Sequence, residues 1–163
     1  MLIGVISDTH GYFHPAVPEA FADVDLILHA GDVGPVDVLD QLEALAPVRG
    51  VFGNVDGPPV RGHLPETDRF EIEGVRFLMT HIGGHPKRWG RGIGPVLRTE
   101  RPDVFICGHS HILRIERVPS LRGMLYLNPG AAGHQGFHQV KTCVRLRVEG
   151  GQARQADVVH LDG

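Results

Sequence analysis

Short apolar runs recur along the chain, and polar or glycine-containing segments stop each of them. Leu2–Ile6 is continuous rather than alternating, the pattern of a strand covered on both faces. Similar runs stand at Leu26–Leu28, Val51–Phe52, Val75–Met79, Val104–Cys107 and Met124–Leu127. Helical spacing separates the early ones. Pro15–Ala22 reads as a short helix with proline near its start, and Val36–Ala46 places Val36, Leu39, Leu42 and Leu45 on one face before Pro47. A third helix is predicted over Ile93–Glu100, ending before Pro102. Later the period changes. Arg69–Ile72 and Val75–Met79 flank Glu73-Gly74, a hairpin signal, and Val140, Thr142, Val144, Leu146 and Val148 alternate with polar or smaller residues as a half-exposed strand does. Strand–helix units followed by a β-rich half predict two packed sheets with helices outside. Gly53–Pro65 reads as a long loop, and Gly90–Gly94 as another.

Composition bounds this picture. A chain of 163 residues, 42% hydrophobic and 21% charged, fits one globular domain able to bury its own core. A formal charge of −3 gives no reason to expect stable nucleic-acid binding. Two cysteines, Cys107 and Cys143, stand too far apart for a redox or zinc pair and suit a reducing compartment. No leader pattern follows Met1, and the apolar runs fall well short of the ~20 residues of a membrane span, so the expectation is a cytoplasmic protein. Lysine is nearly absent (Lys87 and Lys141), whereas histidine occurs eleven times. Histidine is the commonest metal ligand, so its placement matters.

That placement is systematic. Leu2–Ile6 runs into Ser7-Asp8-Thr9-His10, Leu26–Leu28 into His29-Ala30-Gly31-Asp32, and Val51-Phe52 into Gly53-Asn54-Val55-Asp56. Val75–Met79 ends in Thr80-His81, and Val104–Cys107 in Gly108-His109-Ser110-His111. Ligands of open sheets bind beyond the carboxyl ends of strands, so these five ends direct their polar groups to one place. Asp8, His10, Asp32, Asn54, His81, His109 and His111 together exceed the four ligands of a structural zinc, and no thiolate is among them. The set suffices for two divalent transition-metal ions if one carboxylate bridges. Its mixture of imidazole, carboxylate and carboxamide suits manganese first, with iron, zinc, nickel or cobalt as alternatives. Each residue alone has an ordinary explanation as a cap or turn residue, but five strand ends would have to supply that explanation independently.

The ordered set Asp8-x-His10, Gly31-Asp32, Gly53-Asn54, His81 and Gly108-His109-Ser110-His111 resembles the motif set of the calcineurin-like metallophosphoesterases. Asn128-Pro129-Gly130 resembles the turn that follows in the small bacterial and archaeal phosphodiesterases of that superfamily. The resemblance implies an α/β fold of mixed α+β character, a four-layer sandwich of two mixed β-sheets flanked by helices, with residues 1–163 as a single domain. Asp8, His10 and His111 would then hold one metal, Asn54, His81 and His109 the other, and Asp32 would bridge. Asn54 would also contact phosphate. The implied activity is a phosphodiesterase acting on a small phosphodiester, in which a metal-bridging hydroxide attacks phosphorus in line. A homo-oligomer is compatible with it. The rival from another class is a metal-binding scaffold of the retromer-subunit type.

One departure from that pattern concerns catalysis. Many members carry histidine after Gly-Asn, where it protonates the leaving group or touches phosphate; this chain has Val55, which does neither. His85, four residues beyond His81, is the candidate substitute for the acid, and Lys87 and Arg88, with Arg91, are candidates to rim the site and bind phosphate. His29, His134 and His138 receive no role from sequence, and Trp89 is expected to pack.

Overall fold

The computed structural model describes residues 1–163. In chain order, β1 (Leu2–Ile6), α1 (Val17–Ala20), β2 (Leu26–His29), α2 (Asp37–Glu43), β3 (Val48–Gly50) and α3 (Pro58–Arg61) form the first part. Then come β4 (Thr67–Ile72), β5 (Val75–Thr80), the short strands β6 (Gly84–His85) and β7 (Arg88–Trp89), α4 (Ile93–Glu100) and β8 (Val104–Ile106). The chain closes with β9 (Leu113–Val118), a 3₁₀ turn at Pro119–Leu121, β10 (Met124–Pro129), β11 (Thr142–Glu149) and β12 (Gln152–His160).

Two five-stranded mixed sheets result, ordered β12-β11-β1-β2-β3 and β4-β5-β8-β10-β9. In the first, β1, β2 and β3 run parallel, while β11 pairs antiparallel with both β1 and β12. In the second, β5, β8 and β10 run parallel between antiparallel edges β4 and β9. All the parallel strands but β3 were read from apolar runs, and the reason is visible in where their side chains go. Ile3 and Val5 point into the core between the sheets, whereas Leu2 and Ile6 point outward beneath α1 and α2. Val104 and Ile106 likewise face the inner core, and Phe105 and Cys107 the layer under α4. Successive residues of a strand face opposite sides, so a strand buried on both faces needs an unbroken apolar run. Each fully buried Leu, Ile or Phe contributes roughly 1.5–3 kcal/mol. The architecture is the helix–sheet–sheet–helix sandwich that the resemblance implies.

Several element boundaries differ from expectation. The third parallel strand is Val48–Gly50, and Val51-Phe52 follow it as extended chain. Val51 still enters the inner core, while Phe52 turns outward and lies under the Arg61 guanidinium. The helix expected over 15–22 is a single turn, because Phe21 leaves it to pack on the outer face of the first sheet. The second helix spans Asp37–Glu43 and buries Val38, Leu39 and Leu42, with Leu45 only partly covered. Gly53–Pro65 is no simple loop, since it contains α3. Val140 lies outside β11 and is exposed. The Glu73-Gly74 hairpin forms as expected, with both residues at positive φ, the geometry of a tight hairpin turn.

Candidate metal centre

The carboxyl ends of β1, β2, β5 and β8, together with the chain after β3, converge at one edge of the sandwich. Asp8 Oδ1 lies 3.2 Å from His111 Nε2, 3.7 Å from His10 Nε2 and 3.8 Å from His81 Nε2. Asp32 Oδ2 lies 3.0 Å from His81 Nε2 and 3.7 Å from His10 Nε2. Donor atoms of Asp8, His10 and His111 all fall within 4.8 Å of one another, as do those of Asp32, His81 and His109. Asn54 Oδ1 stands 3.1 Å from His109 Nδ1 and so borders the second group. The seven residues singled out in the sequence are thereby brought to one place, with Asp8 and Asp32 between the two groups.

Their backbone is unusual. Asp8, His10, Asp32, His109 and His111 all have φ between 47° and 70°, a region that costs an ordinary residue of order 1–2 kcal/mol. Such strain persists only where surrounding contacts over-determine it, and it concentrates at functional sites. The contacts here are specific. Asp8 Oδ2 accepts from Ser7 Oγ at 2.6 Å and from the His109 backbone N–H at 3.1 Å. Asp32 Oδ1 accepts from the Val55 N–H at 3.0 Å. His81 Nδ1 donates to the Ala30 carbonyl at 2.7 Å, which orients its Nε2 inward.

Whether this pocket suits metal ions is decided by its unsatisfied atoms. Asp8 Oδ1, His10 Nε2 and His81 Nε2 are buried and have no hydrogen-bond partner; even the 3.0 Å approach of His81 to Asp32 is out of line for one. Buried polar groups are almost always paired, because each orphan costs about 1–3 kcal/mol. Three orphans aimed at a single spot, all hard or borderline donors, fit divalent cations. The charge pattern agrees. Burial works against ionisation of Asp8, but the facing imidazoles of His10, His111 and His81 and the Ser7 hydroxyl outweigh it and hold the carboxyl well below its ordinary range. Asp32 is also lowered, where burial is overcome by His81 and by the Val55 N–H. His10 is raised chiefly by Asp8, and His81 is raised because Asp32 and Asp8 overcome its burial.

Residues without a role in the sequence turn out to brace the centre. His29 is fully buried and its pKa is pushed down to about 4 by desolvation. Its Nδ1 accepts from the Gly31 N–H, and its Nε2 pairs with Thr9 Oγ1 at 3.0 Å, so it links the Asp8 and Asp32 loops as a neutral ring. Asp56, 4% exposed, accepts from the N–H groups of Gly53, Val33 and Gly34 and ties the Asn54 loop to the Asp32 loop. Asn128 donates to the Gly108 carbonyl and to Ser110 Oγ, bracing the loop that carries His109 and His111. His138 donates from Nε2 to the Gly133 carbonyl and sets its ring edge-on to His111, 5.0 Å between centroids. His134 lies tilted against the Tyr12 ring.

Two cavities open from the centre on either side of Asn54. One, of about 590 Å³, is lined by His81, Arg61, Arg91 and Phe52 among others; the second, of about 610 Å³, by His10, Val55, His109, Ile112, Phe137 and His138 among others. Asn54 and His109 are exposed, so the centre is open to solvent between the cavities. His85, Lys87 and Arg88 line neither. They belong to the β6–β7 hairpin, which lies against the outer face of the second sheet, where Trp89 packs on Phe105 and Tyr126 and the Gly84 carbonyl accepts from Tyr126. His85 Nδ1 is occupied with the Pro86 carbonyl. Of the basic residues after His81, only Arg91 reaches a cavity shared with the centre.

Residues 1–151 match the calcineurin-like phosphoesterase superfamily domain. The chain belongs to that superfamily. A probable metallophosphoesterase of Methanothermobacter thermautotrophicus is 42% identical over 139 residues, covering 80% of this chain and 77% of the relative. Among solved structures, a novel archaeal phosphodiesterase superposes with a TM-score of 0.75 at 24% identity, covering 98% of this chain and 99% of the other. Wild-type Vps29 of Entamoeba histolytica complexed with zinc gives a TM-score of 0.74 at 24% identity, covering 99% of each chain. At such identities the two structures attest the fold. Family membership and the fitting donor set together make this chain a probable metallophosphoesterase whose family uses divalent metals. No helix is long and apolar enough to cross a membrane.

Proposed function

We propose that the protein is a phosphodiesterase whose Asp8, His10 and His111 hold one divalent transition-metal ion and whose Asn54, His81 and His109 hold another, with Asp32 shared. Manganese is the first expectation, and iron, zinc, nickel or cobalt would fit the same donors. The observation that carries the reading is the convergence of three orphaned buried donors, Asp8 Oδ1, His10 Nε2 and His81 Nε2, between two ligand-like groups. Ions bound there would lower the pKa of water toward neutrality and neutralise charge on a phosphoryl group.

The chain's own residues supply positioning. Asp8 stays ionised through its imidazole partners, Ser7 and the His109 N–H, so it presents an anion at every pH of interest. Exposed Asn54 and His109 stand where the solvent-open side admits a phosphate, and the Asn54 carboxamide can donate to a phosphoryl oxygen. Asp56 holds that asparagine's loop still, which keeps the geometry preorganised. At the position where many members carry a histidine, Val55 offers no proton to a leaving group, so the alcohol must leave with a proton from solvent. Diesters are favoured over monoesters because the open edge leaves room for a substituent on both sides of the phosphorus. The substrate is taken to be a small phosphodiester met in the cytoplasm rather than a nucleic-acid polymer.

Elemental analysis paired with hydrolysis of an aryl phosphodiester, with Mn²⁺, Ni²⁺ or Zn²⁺ added, tests this directly. Bound metal together with hydrolysis that disappears in Asp8→Ala and His109→Ala is the expected result. A second reading draws on the exposed Val55, Ile112 and Phe137 around the second cavity, which would suit a partner-binding module of the retromer-subunit type. Metal-loaded protein inert toward every ester would favour it.

A further inference from the structure

The two cavities beside the centre differ in chemistry, and that difference bears on the substrate. Around the Val55 side there is no lysine or arginine, and Val55, Ile112 and Phe137 are 59%, 65% and 105% exposed. Around the His81 side stand Arg61 and Arg91, with the hydroxyls of Thr67 and Thr80. Both cavities share Asn54. A diester seated at Asn54 therefore sends one arm over an apolar wall and the other toward two guanidinium groups.

Arg61 is built for this role. Its Nε donates to the Asp56 carbonyl at 2.6 Å, and its guanidinium lies 4.3 Å from the centroid of the Phe52 ring. These contacts fix the plane of the group and leave its terminal N–H donors without a protein acceptor. Because the anchor is Asp56, which also holds Gly53, the arginine is tied to the loop that presents Asn54. Neither Arg61 nor Arg91 has a carboxylate partner within ion-pair distance, unlike Arg49, Arg69, Arg114 and Arg145. Glu66 lines the same cavity, so one acid faces two cations and the balance stays positive. A preoriented arginine fork with free donors is suited to phosphate oxygens.

We infer that the Arg61–Arg91 cavity is an anion subsite, and that the substrate is an unsymmetrical phosphodiester whose arm on that side carries a second, terminal phosphate. The inference rests on the phosphodiesterase reading for its reacting group, but the subsite itself can be tested apart from turnover. A terminal phosphate brings up to two negative charges, which complement two arginines better than a neutral sugar or alkyl arm does. The apolar wall opposite takes the other substituent.

Two measurements on the full, metal-loaded chain test it. Calorimetry compares thymidine 3′,5′-bisphosphate with thymidine 5′-monophosphate, and kinetics compares the 5′-nitrophenyl diester of thymidine with and without a 3′-phosphate. The additional phosphate should tighten binding and lower KM about tenfold, with kcat little changed, and high salt should erode the gain. Arg61→Ala and Arg91→Ala should each remove most of the preference while leaving the affinity for the monophosphate intact. Arg91 makes no side-chain hydrogen bond, so its variant reports on the subsite without disturbing the fold. Equal binding of the two nucleotides, or a preference that survives both substitutions, overturns the subsite and leaves the hydrolase untouched. If neither diester is hydrolysed yet the bisphosphate still binds tighter through Arg61 and Arg91, the subsite stands and the hydrolase reading falls.

Discussion

Gly53 lies so close to Asp32 that no side chain fits between them. A β-carbon at position 53 would collide with Asp32 Oδ1 and with the Asp32 backbone nitrogen, and would stand 2.7 Å from Cγ. The glycine is thus what lets the loop after β3 approach the Asp32 carboxylate, and the Asp56 carboxylate then clamps its N–H at 2.7 Å. Gly53→Ala should leave the fold in place but displace Asp32 or Asn54, weakening metal affinity by about 10–100-fold, the range typical of disturbed supporting contacts. Titration calorimetry with Mn²⁺ or Zn²⁺ against the wild type measures this directly; unchanged affinity would mean the loop can yield without moving the carboxylate.

Asp32 stands 3.0 Å from His81 and 3.7 Å from His10, and these two histidines belong to different ligand groups. Asp32→Asn should therefore lower occupancy of both ions together. His111→Ala, by contrast, removes a donor of the first group alone and should spare the second ion. Metal-to-protein ratios after gel filtration separate these outcomes, and loss of a single ion in Asp32→Asn would show that the carboxylate is not shared.

Without metal, the cluster makes stability depend on pH with a definite sign. His10 and His81 have folded pKa values raised above 6.5, so their contribution is fully present below 6.5 and is lost as pH rises through the folded values. Asp8 and Asp32 are lowered below 3.8, so theirs is present above 3.8 and lost as pH falls through the lowered values. Buried His29, held down at about 4, opposes protonation and removes stability as pH falls below 6.5. Chelator-treated protein should thus be most stable near pH 6.5, and its Tm should fall as pH rises above it. Bound metal competes with protons for the same nitrogens, so the Tm increase on adding metal should grow over that range. Differential scanning calorimetry with and without chelator tests both slopes, and a chelated protein whose Tm rises across it would contradict the charge assignment.

The parts of this centre legible in sequence were those set by local order. Strands buried on both faces must be largely apolar, so β1, β2, β5, β8 and β10 announced themselves, and the polar residues after β1, β2, β5, β8 and Val51-Phe52 marked the functional edge. The helix at Ile93–Glu100 was legible for a similar reason, being bounded by Gly92 and Arg101–Pro102. What escaped depends on distant contacts. β12 carries few apolar residues because it is an exposed edge strand, with Ala153 its main buried contact. Arg61 lay in a segment read as loop, and only the Phe52 ring and the Asp56 carbonyl bring it to the site. His85 erred in the opposite direction. Proximity in sequence to His81 suggested it, but the hairpin is held on the outer face by Trp89 and Tyr126.

Asn128 supports the centre through the loop that carries His109 and His111. Its side chain is fully buried, its amide donates to the Gly108 carbonyl at 3.0 Å and to Ser110 Oγ at 3.1 Å, and its Oδ1 accepts from the Gly130 N–H at 3.0 Å. Asn128→Ala leaves these groups unpaired and should cost about 1–3 kcal/mol. The loss should show in urea titration and be accompanied by weaker binding of the ion proposed at His111. Stability lost with metal affinity intact would confine Asn128 to a structural part.

Val55 projects 59% exposed at the rim of the second cavity, beside Asn54 and Asp32, and only its backbone N–H contacts the centre. A side chain there can change without moving the Asp32 carboxylate. Around that cavity the Nε2–H of His138 is already given to the Gly133 carbonyl. An alkoxide needs a proton to leave, whereas a nitrophenolate does not, and general acid catalysis is typically worth ~10²–10⁴-fold. The wild type should therefore hydrolyse nitrophenyl diesters far faster than alkyl diesters, with a rate that falls steeply as leaving-group pKa rises. Val55→His restores an imidazole at this rim and should raise alkyl-ester rates by up to ~10²-fold while leaving nitrophenyl rates nearly unchanged. His85→Ala should alter neither class, because His85 lines neither cavity. Rates across a leaving-group series for the three proteins decide the matter: a shallow dependence in the wild type would reveal another proton donor, and a selective loss on alkyl esters in His85→Ala would identify it.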